Sequence, residues 1–337
     1  MMKVLYAAAM AVGLSGAAHA ASFTDIYTGF YSFGDSLSDD GKFTQLDPPS
    51  FGGRFSNGLV WAERIEDQFI AAGHDTGNLA LGGATATGFN PAVPLSTFAG
   101  QVATFSGAIA GGFGLPTRVL PSVETKPDAP APGTNPLLSV WFGANDIFQG
   151  FSPIDAANAV ADGIRNLNKI NPGVFDDFLV VNLPDIGASP AFSGDAAKDA
   201  TKASKLFNWQ LAMNVLDLEN EGINIIGFQP NRILSRIIED VETGQFSYGI
   251  FDVTTPCTLS VGAPLNPDVT NPGSCLDFGT DPNTLLFVDG VHPNAKAHEL
   301  FAEAVGTKLS SVPVPAGLPL LLSALAGLGF AARRRSA

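Results

Sequence analysis

The sequence predicts an α/β protein with three layers, in which helices cover both faces of a parallel sheet. Short apolar runs rich in β-branched and aromatic residues alternate along the chain with longer stretches of helical periodicity. Each apolar run ends at a glycine, a proline or a polar residue, as strands of a buried parallel sheet do. Because strand and helix take turns, the pattern is that of a doubly wound α/β/α domain.

The elements follow in order along the chain. The candidate core strands are residues 27–33, 137–142, 178–183 and 223–228. Helical periodicity covers residues 58–72, 156–170, 195–221, 231–241 and 295–309. The Gly- and Pro-rich stretches 107–135 and 254–283 are predicted to be loop insertions, because no separate core follows either of them. One domain over residues 21–311 accounts for all of these elements.

Residues 1–20 have the layout of a secretory signal. Lys3 precedes an apolar run over residues 4–14, and small residues then end in Ala18-His19-Ala20. A buried helix is the alternative. The pattern predicts export and cleavage after Ala20, so these residues are left out of the predicted domain.

Residues 312–337 form a distinct C-terminal segment. A Val-Pro-Val-Pro-Ala sequence begins at Val312, an uncharged apolar stretch follows to residue 332, and Arg333-Arg334-Arg335 comes next. The apolar stretch is at the short limit for a membrane-spanning helix, and the basic cluster would keep that end on the cytoplasmic side. The segment resembles the PEP-CTERM class of sorting tails in its VPxPA form, which implies processing by sorting machinery at the cell surface. A simple membrane anchor is the alternative.

The net charge of the chain limits which macromolecules it can bind. The formal net charge is −14, and an acidic surface repels phosphate backbones, which argues against nucleic-acid binding.

Cys257 and Cys275 are the only cysteines; in an exported chain they are expected to form a disulfide worth about 3 kcal/mol. Two free thiols are the alternative. No CxxC or histidine cluster suggests a metal ion, and no cofactor is expected.

One histidine is the best candidate for a catalytic base. Among the histidines, His19 lies in the predicted signal, His74 lies in a predicted turn, and His298 lies within a helical pattern. His292 instead follows Asp289 by three residues, just beyond an apolar run. On a turn that leads into a helix, this spacing can bring the carboxylate to one imidazole nitrogen and leave the other facing a nucleophile. A surface turn with an incidental histidine is the alternative.

Ser36 is the candidate nucleophile because of its position. It follows the first predicted strand in Phe33-Gly34-Asp35-Ser36, and reactive groups of doubly wound sheets gather beyond the carboxyl ends of the strands. Gly-Asp-Ser by itself is common in turns. No GxSxG is present, which argues against the nucleophile elbow of α/β-hydrolases.

Acyl transfer also needs hydrogen-bond donors for the oxyanion. Asn145 follows the strand at 137–142 and offers a side-chain amide, and Gly82 offers an unobstructed backbone N–H. The backbone N–H of Ser36 is the third candidate donor. The alternatives are that Asn145 caps the next segment and that Gly82 belongs to a tight turn.

Taken together, these segments resemble the GDSL, or SGNH, family of lipases and esterases. The matching segments are residues 33–39 (Phe-Gly-Asp-Ser-Leu-Ser-Asp), Gly82, residues 143–146 (Gly-Ala-Asn-Asp) and residues 289–292 (Asp-Gly-Val-His). Two more, residues 54–58 with Trp61 and residues 181–187, resemble the branch that includes plant GDSL lipases and bacterial secreted lipases. The resemblance implies a flavodoxin-like three-layer α/β/α fold with a parallel sheet of about five strands.

The resemblance also implies site roles and a substrate class. Ser36 would be the nucleophile, His292 the base and Asp289 its partner, with Ser36, Gly82 and Asn145 as oxyanion-hole donors. The expected substrate is a small-molecule or lipid ester, and the Phe-rich stretch 89–113 favours acyl or aryl esters. Phospholipase, thioesterase, acyltransferase or carbohydrate deacetylase action on the same site is one alternative. A non-catalytic surface or matrix binding protein is the other.

Overall fold

The computed structural model describes residues 22–43, 46, 49–111, 131–258 and 274–311. At its centre lie the strands β1 Gly29–Gly34, β2 Asp75–Asn78, β3 Leu137–Trp141, β4 Asp177–Val181 and β5 Asn224–Phe228. They form one sheet in the order β2-β1-β3-β4-β5, in which every neighbouring pair is parallel. The predicted parallel sheet of about five strands is confirmed, and each predicted strand overlaps an observed one.

Helices cover both faces of this sheet. They are α1 Phe23–Ile26, α2 Trp61–Ala71, α3 Phe98–Gly111, α4 Ala144–Phe148, α5 Pro153–Ile170, α6 Gly194–Asn220, α7 Pro230–Glu242 and α8 Ala295–Ser310. Side chains of α3, α5 and α6 share one apolar core with one face of the sheet. Those of α1, α2, α7 and α8 share a second core with the other face. The predicted three-layer α/β/α architecture is therefore confirmed.

The central strand β1 is fixed from both faces. Phe33 packs on the α3 side, where its ring centroid lies 6.0 Å from that of Phe98 and 5.4 Å from that of Phe105. Phe30 points to the opposite core and stacks on Phe69 at 5.5 Å. These rings are fully buried, and truncating such a side chain to alanine typically costs about 3–5 kcal/mol. The position of the β1 carboxyl end is thus determined by both cores.

Two elements correct the prediction. β2 has the sequence Asp-Thr-Gly-Asn, which lacks an apolar run, and it forms by pairing with β1 at the edge of the sheet. Residues 98–111 were expected to be loop, both in the insertion 107–135 and in the Phe-rich stretch 89–113, but they form α3. Its many glycine and alanine residues obscure the helical period, although Phe98, Val102 and Phe105 share one buried face.

The strand order creates a crevice where the connections diverge. The chain passes from β1 to β2 on one side and then returns to β3 on the other side of β1. In such sheets, the segments leaving the two strands move apart at the carboxyl ends, and ligands bind between them. Ser36 comes just after β1 and Asn145 just after β3, so the fold brings both candidates to this point.

The predicted signal at residues 1–20 and the predicted tail at residues 312–337 lie outside the described residues, so both boundaries stay predictions. Over the part of the chain that is described, no helix is long and apolar enough to cross a membrane. In that same part, no three or more His, Cys, Asp or Glu side chains come together as a potential metal site.

Candidate active site

Ser36 lies in a tight turn immediately beyond β1. The Ser38 backbone N–H donates to the Asp35 carbonyl at 3.1 Å, and the Leu37 N–H donates to Oδ1 of Asp35 at 3.1 Å. A Cβ added to Gly34 would lie 3.0 Å from the Trp141 carbonyl oxygen, so the strand end packs closely against β3. The Ser36 side chain is thereby held at the crevice, where the residue is 6% exposed.

Gln101 of α3 clamps the end of β1, a role that sequence reasoning missed. Its Oε1 accepts from the Gly34 N–H at 3.0 Å, and its Nε2 donates to the Gly34 carbonyl at 2.8 Å. The side chain is fully buried. The two residues are 67 positions apart, and no local pattern links a glutamine within an unrecognised helix to a strand end.

His292 connects the predicted acid to the predicted nucleophile. Its Nε2 lies 2.7 Å from Ser36 Oγ, and its Nδ1 lies 2.7 Å from Asp289 Oδ2. An ionised carboxylate can only accept, so Nδ1 carries the proton that it donates to Asp289. Nε2 is then free to accept from the Ser36 hydroxyl. The structure brings these three residues together although 256 positions separate Ser36 from His292.

The Asp289 carboxylate is fixed by its own loop. Its Oδ1 accepts from the backbone N–H groups of Val291 and His292, at 2.8 and 2.7 Å. The Val288 N–H donates to the His292 carbonyl at 2.9 Å, which closes the loop. Because Oδ1 is used locally, Oδ2 points to the imidazole. The three-residue spacing between Asp289 and His292 is therefore what this loop requires.

The segment 54–58 supports the histidine from outside the sheet. The Phe55 ring packs against the His292 imidazole, with centroids 5.0 Å apart. Arg54 forms a bidentate ion pair with Glu63 of α2, with both N–O distances at 2.7 Å. Asn57 Oδ1 accepts from the Ala295 N–H at the start of α8, at 2.8 Å. These contacts give the segment a structural role beside His292.

Cys257 and Cys275 form a disulfide next to the same loop. The Cys257 N–H donates to the Phe287 carbonyl at 3.1 Å, and the Thr258 N–H donates to the Val288 carbonyl at 3.0 Å. The Cys275 N–H in turn donates to the Cys257 carbonyl at 2.7 Å. The disulfide thus holds a strand-like segment against the residues that lead directly into Asp289.

Asn145 lies in the first turn of α4 and lines the same crevice as Ser36 and His292. Its Nδ2 donates to the Ala84 carbonyl at 3.0 Å, which orients the amide and leaves its second N–H available. Gly143 precedes α4 with a φ of 117°, and a Cβ there would lie 2.4 Å from the Phe207 ring. The tight turn from β3 into α4 thus needs glycine, and it brings the Asn145 amide to the crevice.

Gly82 differs from its predicted arrangement. Its N–H donates to Oδ2 of Asp39 at 2.7 Å, and Gly82 is not among the residues that line the crevice. Asp39 is buried and also accepts from the N–H groups of Gly41 and Lys42. The Gly82 N–H is therefore occupied by a carboxylate and is not directed at an incoming substrate in this conformation.

Two further aspartates shape the site. Asp146, fully buried, accepts from Ala86 N–H at 2.8 Å and from Thr87 N–H at 3.0 Å, which ties α4 to the loop after Gly83. Asp35 lines the crevice beside Ser36. Burial raises the pKa of Asp35 from 3.8 to about 7, although the nearby His292 opposes this shift. Asp35 is therefore an additional group that titrates near neutrality at this site.

The crevice itself is narrow and mainly apolar. It has a volume of about 150 Å³ and is lined by Ser36, His292 and Asn145 together with residues of α7 and α8. Its apolar lining comes from several elements: Leu37, Trp141, Phe148, Ile186, Leu234, Ile238, Phe287, Val291, Pro293 and Phe301. Ser36, His292 and Asn145 thus line the same crevice, whose mainly apolar lining suits an apolar substituent.

Comparison with known proteins identifies relatives along much of the chain. The chain is 25% identical over 320 residues to the phosphatidylcholine-sterol acyltransferase of Aeromonas hydrophila, covering 83% of this chain and 89% of that protein. It is 25% identical over 286 residues to the thermolabile hemolysin of Vibrio parahaemolyticus, covering 81% of this chain and 61% of the hemolysin. The match to esterase EstA of Pseudomonas aeruginosa has 26% identity and covers 52% of this chain and 27% of EstA.

Solved structures and the family model complete the comparison. The aryl esterase of M. smegmatis aligns with 85% of this chain and 100% of its own, at 14% identity and a TM-score of 0.44. These values are too low to bear on substrate. The family model described as GDSL-like Lipase/Acylhydrolase matches residues 30–305. Since that match covers most of the chain, the protein belongs to the GDSL-like lipase and acylhydrolase family and is an ester-bond hydrolase.

Proposed function

We propose that the chain is an exported serine esterase or lipase that cleaves carboxylic esters through an acyl-enzyme on Ser36. The observation that carries this proposal is the continuous hydrogen-bond chain from Asp289 through His292 to Ser36, with both N–O distances at 2.7 Å. This is the arrangement in which an imidazole can take the proton of a serine hydroxyl. The apolar crevice beside Ser36 supports an ester substrate with an apolar substituent.

The proposed reaction has two halves. Ser36 Oγ attacks the ester carbonyl carbon while Nε2 of His292 accepts the hydroxyl proton, and Asp289 stabilises the resulting imidazolium. The imidazolium then donates that proton to the oxygen of the leaving alcohol, the carbon–oxygen bond breaks, and the acyl group remains on Ser36. Water then attacks the acyl carbon from the side that the alcohol left, and Nε2 of His292 accepts its proton. The imidazolium returns this proton to Ser36 Oγ as the bond between Oγ and the acyl carbon breaks, which releases the carboxylic acid and the free serine.

Two donors are proposed for the oxyanion: the Ser36 backbone N–H and the second N–H of the Asn145 amide. Each such donor is typically worth about 3–4 kcal/mol of transition-state stabilisation. Gly82, the third predicted donor, would contribute only if its hydrogen bond to Asp39 opened.

Acyl transfer to an alcohol is the second candidate. The phosphatidylcholine-sterol acyltransferase of Aeromonas hydrophila, which matches along most of its length, supports it. In that reaction an alcohol takes the place of water in the second half, and the residues of the site keep their roles. Analysing products from one ester with and without an added alcohol separates the two: free acid alone indicates hydrolysis, and a new ester indicates transfer.

Export is part of the proposal, and it rests on the sequence of residues 1–20 and 312–337. Intact-mass analysis of the protein recovered from producing cells checks both ends. We expect an N-terminus at Ala21, and we expect the tail to be shortened if sorting machinery acts on it. A chain recovered with both ends intact would contradict export with processing.

A fluorophosphonate probe tests the proposed nucleophile, because it phosphonylates an activated serine. We expect labelling of the wild type, no labelling of Ser36→Ala, and normal labelling of Ser235→Ala. Ser235 is a suitable control, since it lines the same crevice from α7 without contacting His292.

The result that would overturn the proposal is equally specific. Labelling that persists in Ser36→Ala would place the reactive serine elsewhere. A wild type that folds, resists the probe and hydrolyses no ester would favour the non-catalytic surface protein.

A further inference from the structure

One face of α7 forms a wall of the crevice. Asn231, Leu234, Ser235 and Ile238 all line it, and their spacing of three, four and seven residues places them on the same side of the helix. Asn231 Oδ1 accepts from the Asp185 N–H at 3.0 Å, which anchors the start of α7 to the turn after β4 that also lines the crevice. The width of the crevice is therefore set by a rigid element and not by a loop alone.

One part of the crevice lining is apolar and buried. Trp141 and Phe301 belong to it, with ring centroids 6.1 Å apart, and they are 1% and 0% exposed. Leu234, which is buried, and Ile238, which is partly buried, line the crevice from α7. A polar alcohol group would lose hydrogen bonds with water on entering such a space, whereas an alkyl chain would gain from leaving water.

The volume limits what can fit. The crevice measures about 150 Å³, and an apolar cavity of about that volume in a protein interior holds one benzene molecule. A group of about six carbon atoms would therefore fill the space. A longer chain would have to displace side chains of a packed core, which is costly.

The order of the reaction decides which half of the ester enters. The alcohol must leave and water must arrive on the same side while the acyl group stays bound to Ser36. The buried apolar part of the lining suits the part that stays, and the exposed part suits the alcohol that leaves and the water that arrives. The buried apolar part therefore fits the acyl chain.

We propose that the face of α7 is the acyl-chain gauge of this enzyme, with Leu234 and Ile238 limiting the acyl chain to about six carbons. The inference rests on the proposed acyl-enzyme at Ser36 and names the substrate class of that site as esters of short to medium fatty acids. Ile238 is the position to vary, because it is only partly buried and can be resized with less damage to the core than Phe301.

The test is a series of p-nitrophenyl esters from acetate to dodecanoate, scored as kcat/KM. For the wild type we expect a rise of about fourfold per added methylene up to about hexanoate, followed by a fall. Ile238→Ala enlarges the apolar part of the crevice, so the maximum should move about two carbons or more toward longer chains. Ile238→Trp fills it, so hexanoate should lose at least about tenfold relative to acetate.

A matched control separates the pocket from general damage. Ile233 is also a partly buried isoleucine of α7 that packs on the same core, but it does not line the crevice. Ile233→Ala should lower the melting temperature about as much as Ile238→Ala while keeping the wild-type chain-length profile. An equal shift of the profile in both variants would contradict the proposed gauge.

A second series of substrates shows whether the acyl part or the alcohol part of the ester binds in the crevice. Alkyl acetates from ethyl to hexyl acetate vary the alcohol, and we expect the wild type and Ile238→Ala to respond to them alike. A shift confined to this series would mean that the pocket takes the alcohol and would overturn the proposal. A chain-length profile that is unchanged in both Ile238 variants would also overturn the proposal. If the wild type hydrolyses no ester and Ser36 is not labelled, the proposed function itself is wrong.

Discussion

The two halves of the proposed active site, the nucleophile half with Ser36 and the acid–base half with His292 and Asp289, are held by different kinds of structure. Ser36 extends from β1, a strand buried on both faces and clamped at its end by Gln101. His292 and Asp289 lie on a loop outside the sheet, between Val288 and α8. That loop is held by backbone hydrogen bonds to Cys257 and Thr258 and by packing against Phe55.

This difference separates stability from catalysis. The nucleophile half shares its contacts with both apolar cores, so loosening it should cost folding free energy. The acid–base half depends on a few local contacts, so it can be disturbed while the sheet stays intact. Substitutions in the two halves should therefore have different signatures, which the following variants test from the largest expected effect to the smallest.

Asp289→Asn should break the acid–base half alone. An amide can donate to Nδ1 of His292, which favours the tautomer that cannot accept the Ser36 proton, and kcat should fall by about 10⁴. Circular dichroism and melting temperature should stay close to the wild type. Asp281→Asn, a nearby helix cap, is the control and should change kcat less than twofold. A kcat within tenfold of wild type in Asp289→Asn would contradict the role of this carboxylate.

Gln101→Leu should break the nucleophile half through the fold. It removes the partner of the buried Gly34 N–H and the donor to the Leu95 carbonyl, at about 1–3 kcal/mol for each group, while the Gly34 carbonyl keeps the Leu81 N–H. Urea denaturation should show a loss of about 4 kcal/mol in the free energy of unfolding. Gln68→Leu, on an exposed position of α2, should cost less than about 0.5 kcal/mol. Equal losses in the two variants would refute the clamp.

Asp35 lies beside Ser36 and near His292, and Asp35→Asn tests its protonation through the pH dependence of stability. Burial raises the folded-state pKa of Asp35 to about 7 from 3.8, so between these values the folded state binds a proton that the unfolded state has lost. The stability contributed by this group is present below about pH 4 and is lost as pH rises through 7, by up to about 4 kcal/mol. Asparagine does not titrate, so the melting temperature of the variant minus that of the wild type should increase from pH 4 to pH 8. Parallel curves would contradict a buried, protonated Asp35.

Replacing both cysteines tests how far the disulfide supports the loop. Cys257→Ser with Cys275→Ser removes a cross-link between residues 18 positions apart, which should cost about 3 kcal/mol. We also expect kcat to fall, by about tenfold, because Cys257 and Thr258 hold the residues before Asp289. Reductant should reproduce both effects in the wild type and change nothing in the double variant. Lower stability with unchanged kcat would show that the loop positions His292 without the disulfide.

The fold and much of the candidate site could be predicted from the sequence, because those features have local sequence signals. Strands of apolar residues and helices of clear period were predictable, as was the gathering of Ser36 and Asn145 beyond strand ends. The short spacing of Asp289 and His292 reflects a hydrogen-bonded loop that three residues can close. These features need no knowledge of distant contacts.

The features that were missed depend on tertiary contacts. β2 has no apolar run and becomes a strand through pairing with β1. The helical period of α3 is obscured by its glycine and alanine residues. Because the helix was not recognised, the contact of Gln101 with the end of β1 was missed as well. The Gly82 N–H is occupied by Asp39, 43 positions earlier, and the pKa of Asp35 follows from burial that no local pattern reports.

The central claim is that Ser36 carries the acyl group between the two halves of the reaction, and rapid-quench peptide mass spectrometry tests it most directly. The wild type mixed with p-nitrophenyl butyrate and quenched in acid within the first turnover should yield a butyryl group on the peptide that contains Ser36. A butyryl group on another residue, or steady hydrolysis with no acylated peptide at any time, would contradict the account.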